Sequence, residues 1–63
     1  MRNDIIKELE SKGFEQLTNQ TYYNHKTKVE VILMEEEASV SNGRQKLFMG
    51  KIENGEKILE VIN

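Results

Sequence analysis

Two Asn-Gly dipeptides, Asn42-Gly43 and Asn54-Gly55, divide the second half of this chain into short apolar segments. A type I′ turn needs positive φ at both of its central positions, and Asn-Gly is among the pairs that adopt it most readily. The segments beside these dipeptides therefore predict strands that are joined by tight hairpins, and so an antiparallel sheet.

Runs of alternating or β-branched apolar residues mark the strands of this sheet. Residues 14–17 and 21–24 form a first extended region that is irregular at residues 18–20, and the further predicted strands are residues 28–34, 37–41, 46–52 and 57–62. Turn-forming side chains gather at residues 18–20 and 24–27, and Glu35-Glu36 predicts a further turn. For residues 57–62 a helical turn is the alternative, but their β-branched side chains and the preceding Asn-Gly pair favour a strand.

A helix is predicted at the N-terminus, over residues 5–12. Ile5, Ile6 and Leu9 lie on one stripe at helical spacing, and Asn3 or Asp4 is the expected N-cap residue. A helix this short does not persist alone, so its apolar stripe must pack on the strands that follow.

Gly13 supplies the left-handed residue that ends this helix. If Gly13 is the C′ residue, Phe14 falls at C″ and Leu9 at C3, the two positions whose side chains meet in a Schellman motif. The sequence therefore predicts how the chain leaves the helix.

These elements predict an α+β fold in which one N-terminal helix packs on a four- or five-stranded antiparallel meander sheet, as a single domain over residues 1–63. A chain this short buries only about 60 % of the surface that its unfolded form exposes. It has no cysteine, and its one histidine, His25, cannot form a zinc site alone. Without a disulfide or a structural metal ion, the domain needs an unusually well-packed core or self-association to be stable. We expect a homodimer.

Side chains on a strand alternate between faces, so the expected turns assign residues to each face. A turn at Asn42-Gly43 sets Ala38 opposite Leu47, and a turn at Glu35-Glu36 sets Leu33 opposite Ala38. The predicted core face consists of Val29, Val31, Leu33, Ala38, Val40, Leu47 and Met49.

The opposite face is predicted to be partly apolar, with four residues that form the candidate interface: Ile32, Met34, Phe48 and Ile52. The last predicted strand adds apolar side chains to this face in either hairpin register. One interpretation is that the sheet curls and covers this face with its first strands and with Tyr22 and Tyr23. The other, which we favour, is an interface for a second copy or for a different protein.

The hairpin of residues 22–28 carries aromatic and basic side chains, which suggests an alternative function in nucleic-acid binding. Tyr22 and Tyr23 could stack on bases, and Lys26 and Lys28, beside His25, could neutralise phosphates. The net charge of −2 and the lack of a basic tract argue against this alternative.

No residue pattern predicts catalysis, a cofactor or a metal ion. His25 has no cysteine to pair with, and its polar turn indicates an exposed side chain. Glu35, Glu36 and Glu37 lack the spacing of a calcium loop, so we interpret them as a solvated turn that a basic partner could meet.

We therefore expect a non-enzymatic protein–protein interaction module. The N-terminus meets polar residues at once and no apolar run approaches the roughly 18 residues of a membrane span, so we expect a cytoplasmic protein. The lack of Pro, Cys and Trp, with abundant Lys, Glu, Asn and Ile, is typical of AT-rich genomes and suggests an accessory or inhibitory factor of a mobile element or phage that binds a host macromolecule.

Overall fold

The computed structural model describes residues 2–62 and shows two helices and one antiparallel sheet. The elements in chain order are α1 (Arg2–Ser11), β1 (Glu15–Gln16), β2 (Thr21–Asn24), β3 (Val29–Leu33), β4 (Glu37–Asn42), β5 (Gln45–Lys51) and α2 (Gly55–Ile62). The strands lie in the sheet in chain order, and each neighbouring pair is antiparallel. The predicted α+β fold, with an N-terminal helix and a meander sheet, is confirmed.

The end of α1 is the predicted Schellman motif. Gly13 has a φ of 93°, which an L side chain rarely adopts. The amide of Gly13 donates to the Glu10 carbonyl at 3.2 Å, and the amide of Phe14 donates to the Leu9 carbonyl at 3.0 Å. The side chains of Leu9 and Phe14 are both buried in the core. The predicted exit of the chain from this helix is therefore confirmed.

The start of α1 differs from the prediction. The helix begins at Arg2, so Asn3 and Asp4 lie inside its first turn and do not cap it. The Arg2 guanidinium reaches the end of β3, where Nη1 donates to the Met34 carbonyl at 2.9 Å and Nη2 donates to the Leu33 carbonyl at 3.1 Å. A long-range contact thus connects the helix start to the sheet, and a local capping pattern does not reveal such a contact.

The hairpin between β3 and β4 has the predicted register. Leu33 faces Ala38 and Val31 faces Val40 across the bend at residues 35–36. All four side chains are fully buried. This part of the predicted core face is confirmed.

The register between β4 and β5 differs from the prediction and reverses the faces of β5. The turn is centred on residues 43–44 and not on 42–43. That displacement moves each pairing by two residues, which keeps side chains on their predicted faces. A β-bulge beside Val40 then adds one residue to β5, so Val40 faces Phe48. The odd residue changes the alternation for the rest of the strand.

Phe48 and Met49 therefore lie on the faces opposite to those predicted. Phe48 packs against the core with its ring over Gly50, where an added Cβ would lie 3.1 Å from Phe48 Cζ. Ile52 and the bulge residue Leu47 also pack against the core, whereas Met49 is 67 % exposed. The predicted core position of Met49 and the predicted outer positions of Phe48 and Ile52 are wrong because of the bulge.

Residues 57–62 belong to a helix, so the predicted last strand is wrong. The amides of Lys57 and Ile58 donate to the Asn54 carbonyl at 3.0 and 3.3 Å, so Asn54 is the N-cap residue of α2 and does not form a hairpin turn. Ile58 and Ile62 are both buried, and their spacing of four residues places them on one side of a helix. β-Branched residues prefer strands only weakly, and packing of this stripe on the sheet overrides that preference.

Both helices contribute to a core on one face of the sheet, and α2 contacts α1, β4 and β5. The buried apolar residues of this core are Ile5, Leu9, Phe14, Tyr22, Val29, Val31, Leu33, Ala38, Val40, Ile58 and Ile62. We call this the covered face of the sheet, and the opposite one the open face.

Candidate functional surfaces

One row of side chains crosses the open face from strand to strand. Thr21, Ile32, Ser39 and Met49 are register partners on β2 to β5, and the Leu17 amide donates to the Thr21 carbonyl at 2.8 Å, which extends the same register. Ile32 is half-buried, whereas Leu17 and Met49 are 52 % and 67 % exposed. We call these five residues the open-face row. Large and small side chains alternate along this row. Each large side chain is therefore two strands, or about 10 Å, from the next large one.

A second row on the open face separates opposite charges. Glu15, Tyr23, Glu30, Ser41 and Lys46 are register partners across the five strands. Its carboxylates belong to β1 and β3, and its lysine belongs to β5. We call these residues the charged row, because one end is acidic and the other is basic.

The four residues of the predicted interface do not share one surface. Ile32 lies on the open face, while Phe48 and Ile52 pack against the core from the covered side. Met34 follows the end of β3, where its amide donates to the Glu37 carbonyl at 2.8 Å. The open-face row therefore retains only Ile32 of these four.

The predicted nucleic-acid residues are also divided between the two faces. Tyr22 is 2 % exposed and belongs to the core, so its ring cannot stack on a base. Tyr23 is half-buried on the open face, and Lys26 and Lys28 are exposed in the turn between β2 and β3. One accessible aromatic ring therefore remains at this hairpin.

His25 lies at the edge of the open face. Its ring meets the Tyr23 ring edge-on at a centroid distance of 4.9 Å, and its Nε2 is 2.9 Å from Oε1 of Glu15. Both members of this pair are largely exposed, so the contact stabilises the fold little. Among residues 2–62 no group of three or more His, Cys, Asp or Glu side chains could hold a metal ion.

A groove of about 990 Å³ opens on the covered side, between α1 and α2. Its apolar lining comes from Ile5, Phe48 and Leu59. Gly55 lies against Ile5, since a Cβ added to Gly55 would be 3.2 Å from Ile5 Cδ1. The close approach of α2 to α1 at this point closes one part of the groove.

The rim of this helix groove is acidic. It includes five carboxylates and two lysines, from Asp4, Glu8, Glu53, Glu56, Glu60, Lys7 and Lys57. Five negative and two positive groups leave an excess of three negative charges, more than the net charge of −2 of the whole chain. Within the described residues, Glu8, Glu53 and Glu60 form no ion pair shorter than 4.0 Å.

The sequence does not predict this groove when residues 57–62 are assigned to a strand. The available signal was the spacing of Ile58, Leu59 and Ile62, which puts them on one side of a helix. Asn54 before them is also a favourable N-cap residue. Asn is favourable both at a helix N-cap and in a hairpin turn, so Asn54 does not discriminate between the two.

Comparisons with known proteins leave the function to be argued from these surfaces. No family model, curated protein or solved structure gives a significant match to the chain. In the described part of the chain, neither helix is long and apolar enough to cross a membrane.

Proposed function

We propose that this protein is a non-enzymatic protein–protein interaction module that forms a homodimer through the open face. The observation that carries this proposal is the open-face row. Leu17 and Met49 are more than half exposed on a sheet face that no helix of residues 2–62 covers. Exposed apolar side chains that share one face of a small domain form a candidate binding surface.

The alternation of the open-face row suits a second copy of itself. A two-fold axis parallel to the strands, between β3 and β4, sets Ile32 against Ser39 of the second copy and Met49 against its Thr21. Long side chains then fill the spaces above short ones, as in two sheets that pack about 10 Å apart.

The charged row fits the same axis. Lys46 of one copy faces Tyr23 of the other, which brings an ammonium group to an aromatic ring. The acidic and basic ends of the two rows also run in opposite directions, so like charges are not opposed.

A dimer of this kind leaves the covered side of each copy available to another macromolecule. This arrangement fits the accessory or inhibitory role that the composition suggests, in the cytoplasm. Nucleic-acid binding is the weaker alternative, because the hairpin of residues 22–28 exposes one tyrosine and not two.

Light scattering after size-exclusion chromatography tests the dimer. We expect a dimer mass for the wild type and a monomer mass for Met49→Glu, because the substitution buries a carboxylate in the interface. Gln45→Glu is the matched control, since it adds a carboxylate at an exposed residue outside both rows. A wild type that remains monomeric at millimolar concentration would contradict the dimer, as would equal dissociation of both variants.

A further inference from the structure

We infer that the helix groove binds a lysine- or arginine-rich amphipathic helix of another protein. The inference rests on the proposal that this chain acts by binding proteins, but it uses a surface on the other side of the sheet from the dimer. The groove, its apolar floor and its acidic rim each limit the kind of partner that fits.

The dimensions of the groove suit a short helix. It is flanked by α1, with 10 residues, and α2, with 8 residues. At about 1.5 Å per residue these helices are roughly 15 and 12 Å long, so the groove accommodates about two to three helical turns of a partner. Half-buried Phe48 and Leu59 offer the floor against which an apolar stripe at i, i+3 and i+4 packs.

The charges on the rim determine which residues the polar side of the partner helix should carry. Asp4 and Glu56 lie in the first turns of α1 and α2, where carboxylates complement the helix dipole, so the fold itself accounts for them. Glu8 and Glu60 lie beyond the first turns and have no ion-pair partner within residues 2–62. A partner that carries lysine or arginine beside its apolar stripe supplies the missing charge, whereas nucleic acids and anionic membranes are repelled.

A second copy of this chain does not supply such a helix. Within α1 the acidic residues Asp4, Glu8 and Glu10 outnumber Arg2 and Lys7. Within α2 two glutamates outnumber one lysine. Both helices are therefore acidic, and the groove of one copy repels the helices of another.

Three designed peptides of about three helical turns test the inference. The first carries leucines on one side and lysines on the rest, the second replaces each lysine with glutamate, and the third has the first composition in an order without an apolar stripe. We expect the first to bind with an affinity that falls as salt rises, and the others to bind at least about tenfold more weakly. Fluorescence anisotropy of labelled peptides measures the affinities.

Backbone amide NMR shifts locate the bound peptide. We expect the largest shifts in α1, α2 and residues 53–55, and small shifts in β2 and β3. Largest shifts on the open face would overturn the inference, as would equal binding of the peptide that lacks an apolar stripe.

Two double charge reversals distinguish the effect of groove charges on peptide binding from the effect of the net charge of the protein. Glu8→Lys with Glu60→Lys should weaken binding of the lysine peptide at least about tenfold. The control, Glu10→Lys with Glu35→Lys, makes the same change in net charge at exposed residues outside the groove lining and should alter binding less than about twofold. Equal effects of the two pairs would contradict a groove site. Circular dichroism melts check that each variant remains folded.

The Met49→Glu variant separates this inference from the dimer. We expect it to be monomeric and still to bind the lysine peptide. Failure of the wild type to bind the peptide, with the dimer intact, overturns the inference and leaves the proposed function. Absence of both the dimer and peptide binding overturns both.

Discussion

The two faces of the sheet are built from the same strands and have opposite surroundings. On the covered face Tyr22, Val31 and Val40 lie side by side on three strands and are almost completely buried. On the open face Ile32 is half-buried and Met49 is 67 % exposed, although the small Ser39 between them is buried. The buried apolar core therefore lies on one face of the sheet, and the exposed apolar side chain of Met49 lies on the other.

The largest expected effect concerns α2, which covers the far side of the core. Ile58 is fully buried, and Ile58→Ala should cost about 2–5 kcal/mol. A domain of this length has a free energy of unfolding of roughly 3–9 kcal/mol, so the variant should lose most of its stability. Urea denaturation followed by circular dichroism measures the loss. A cost below about 1 kcal/mol would show that α2 does not pack on the covered face.

The neighbours Phe48 and Met49 provide the most direct comparison of the two faces. Phe48→Glu puts a carboxylate against the core and removes the ring over Gly50, so we expect a loss of about 3 kcal/mol. Met49→Glu should change the monomer's stability by less than about 0.5 kcal/mol, because Met49 is exposed. Thermal melts of the two variants, at concentrations where both are monomeric, give the comparison. A larger loss of stability in Met49→Glu than in Phe48→Glu would mean that Phe48 lies on the open face and Met49 on the covered face.

Asn24 closes one edge of the covered face with hydrogen bonds. Its Nδ2 donates to the Lys12 carbonyl at 3.1 Å, and its Oδ1 accepts from the amides of Lys26 and Thr27 at 2.8 and 3.1 Å. We expect Asn24→Ala to cost about 2 kcal/mol, because partly buried backbone groups lose their partners. Asn42→Ala is the control, since Asn42 makes one exposed bond of 3.4 Å and should cost less than about 0.5 kcal/mol. Urea denaturation that gives the same loss of stability for both variants would contradict this role of the Asn24 hydrogen bonds.

The smallest expected effect belongs to the exposed pair on the open side. His25→Ala removes the contact with Glu15 and should change the free energy of unfolding by less than about 0.5 kcal/mol. The same urea measurement at low and high salt checks this expectation. A larger loss would mean that the open side contributes to folding as the covered side does.

Several local features could be predicted from the sequence because their interactions connect residues close along the chain. The Schellman motif joins Leu9, Glu10, Gly13 and Phe14 through two backbone hydrogen bonds. The hairpin between β3 and β4 has five paired residues on each strand and a short bend, so alternation alone fixes its faces. The exposed side chains of Lys26 and Lys28 follow from their polar turn in the same way.

The candidate surfaces were less predictable, because each depends on residues that are distant along the chain. Ile32 was placed correctly on the outer face, since it belongs to the β3–β4 hairpin. The predicted face of Met49, two strands away, is wrong because one bulge residue lies between Met49 and the turn. The helix groove needs α1 and α2 to meet at Ile5 and Gly55, and no pattern of either segment alone implies that contact.

Local sequence patterns are enough to predict the α+β class, the end of α1 and the faces of β3, because hydrogen bonds and alternation over a few residues decide them. The bulge in β5 and the helical conformation of residues 55–62 depend instead on packing between segments that are distant along the chain. Both segments satisfy local preferences in more than one conformation, and burial selects among them. The Phe48 ring packs over Gly50 on the covered face. Ile58 and Ile62 are buried when residues 55–62 form a helix, and they complete the core. That choice leaves one face of the sheet open.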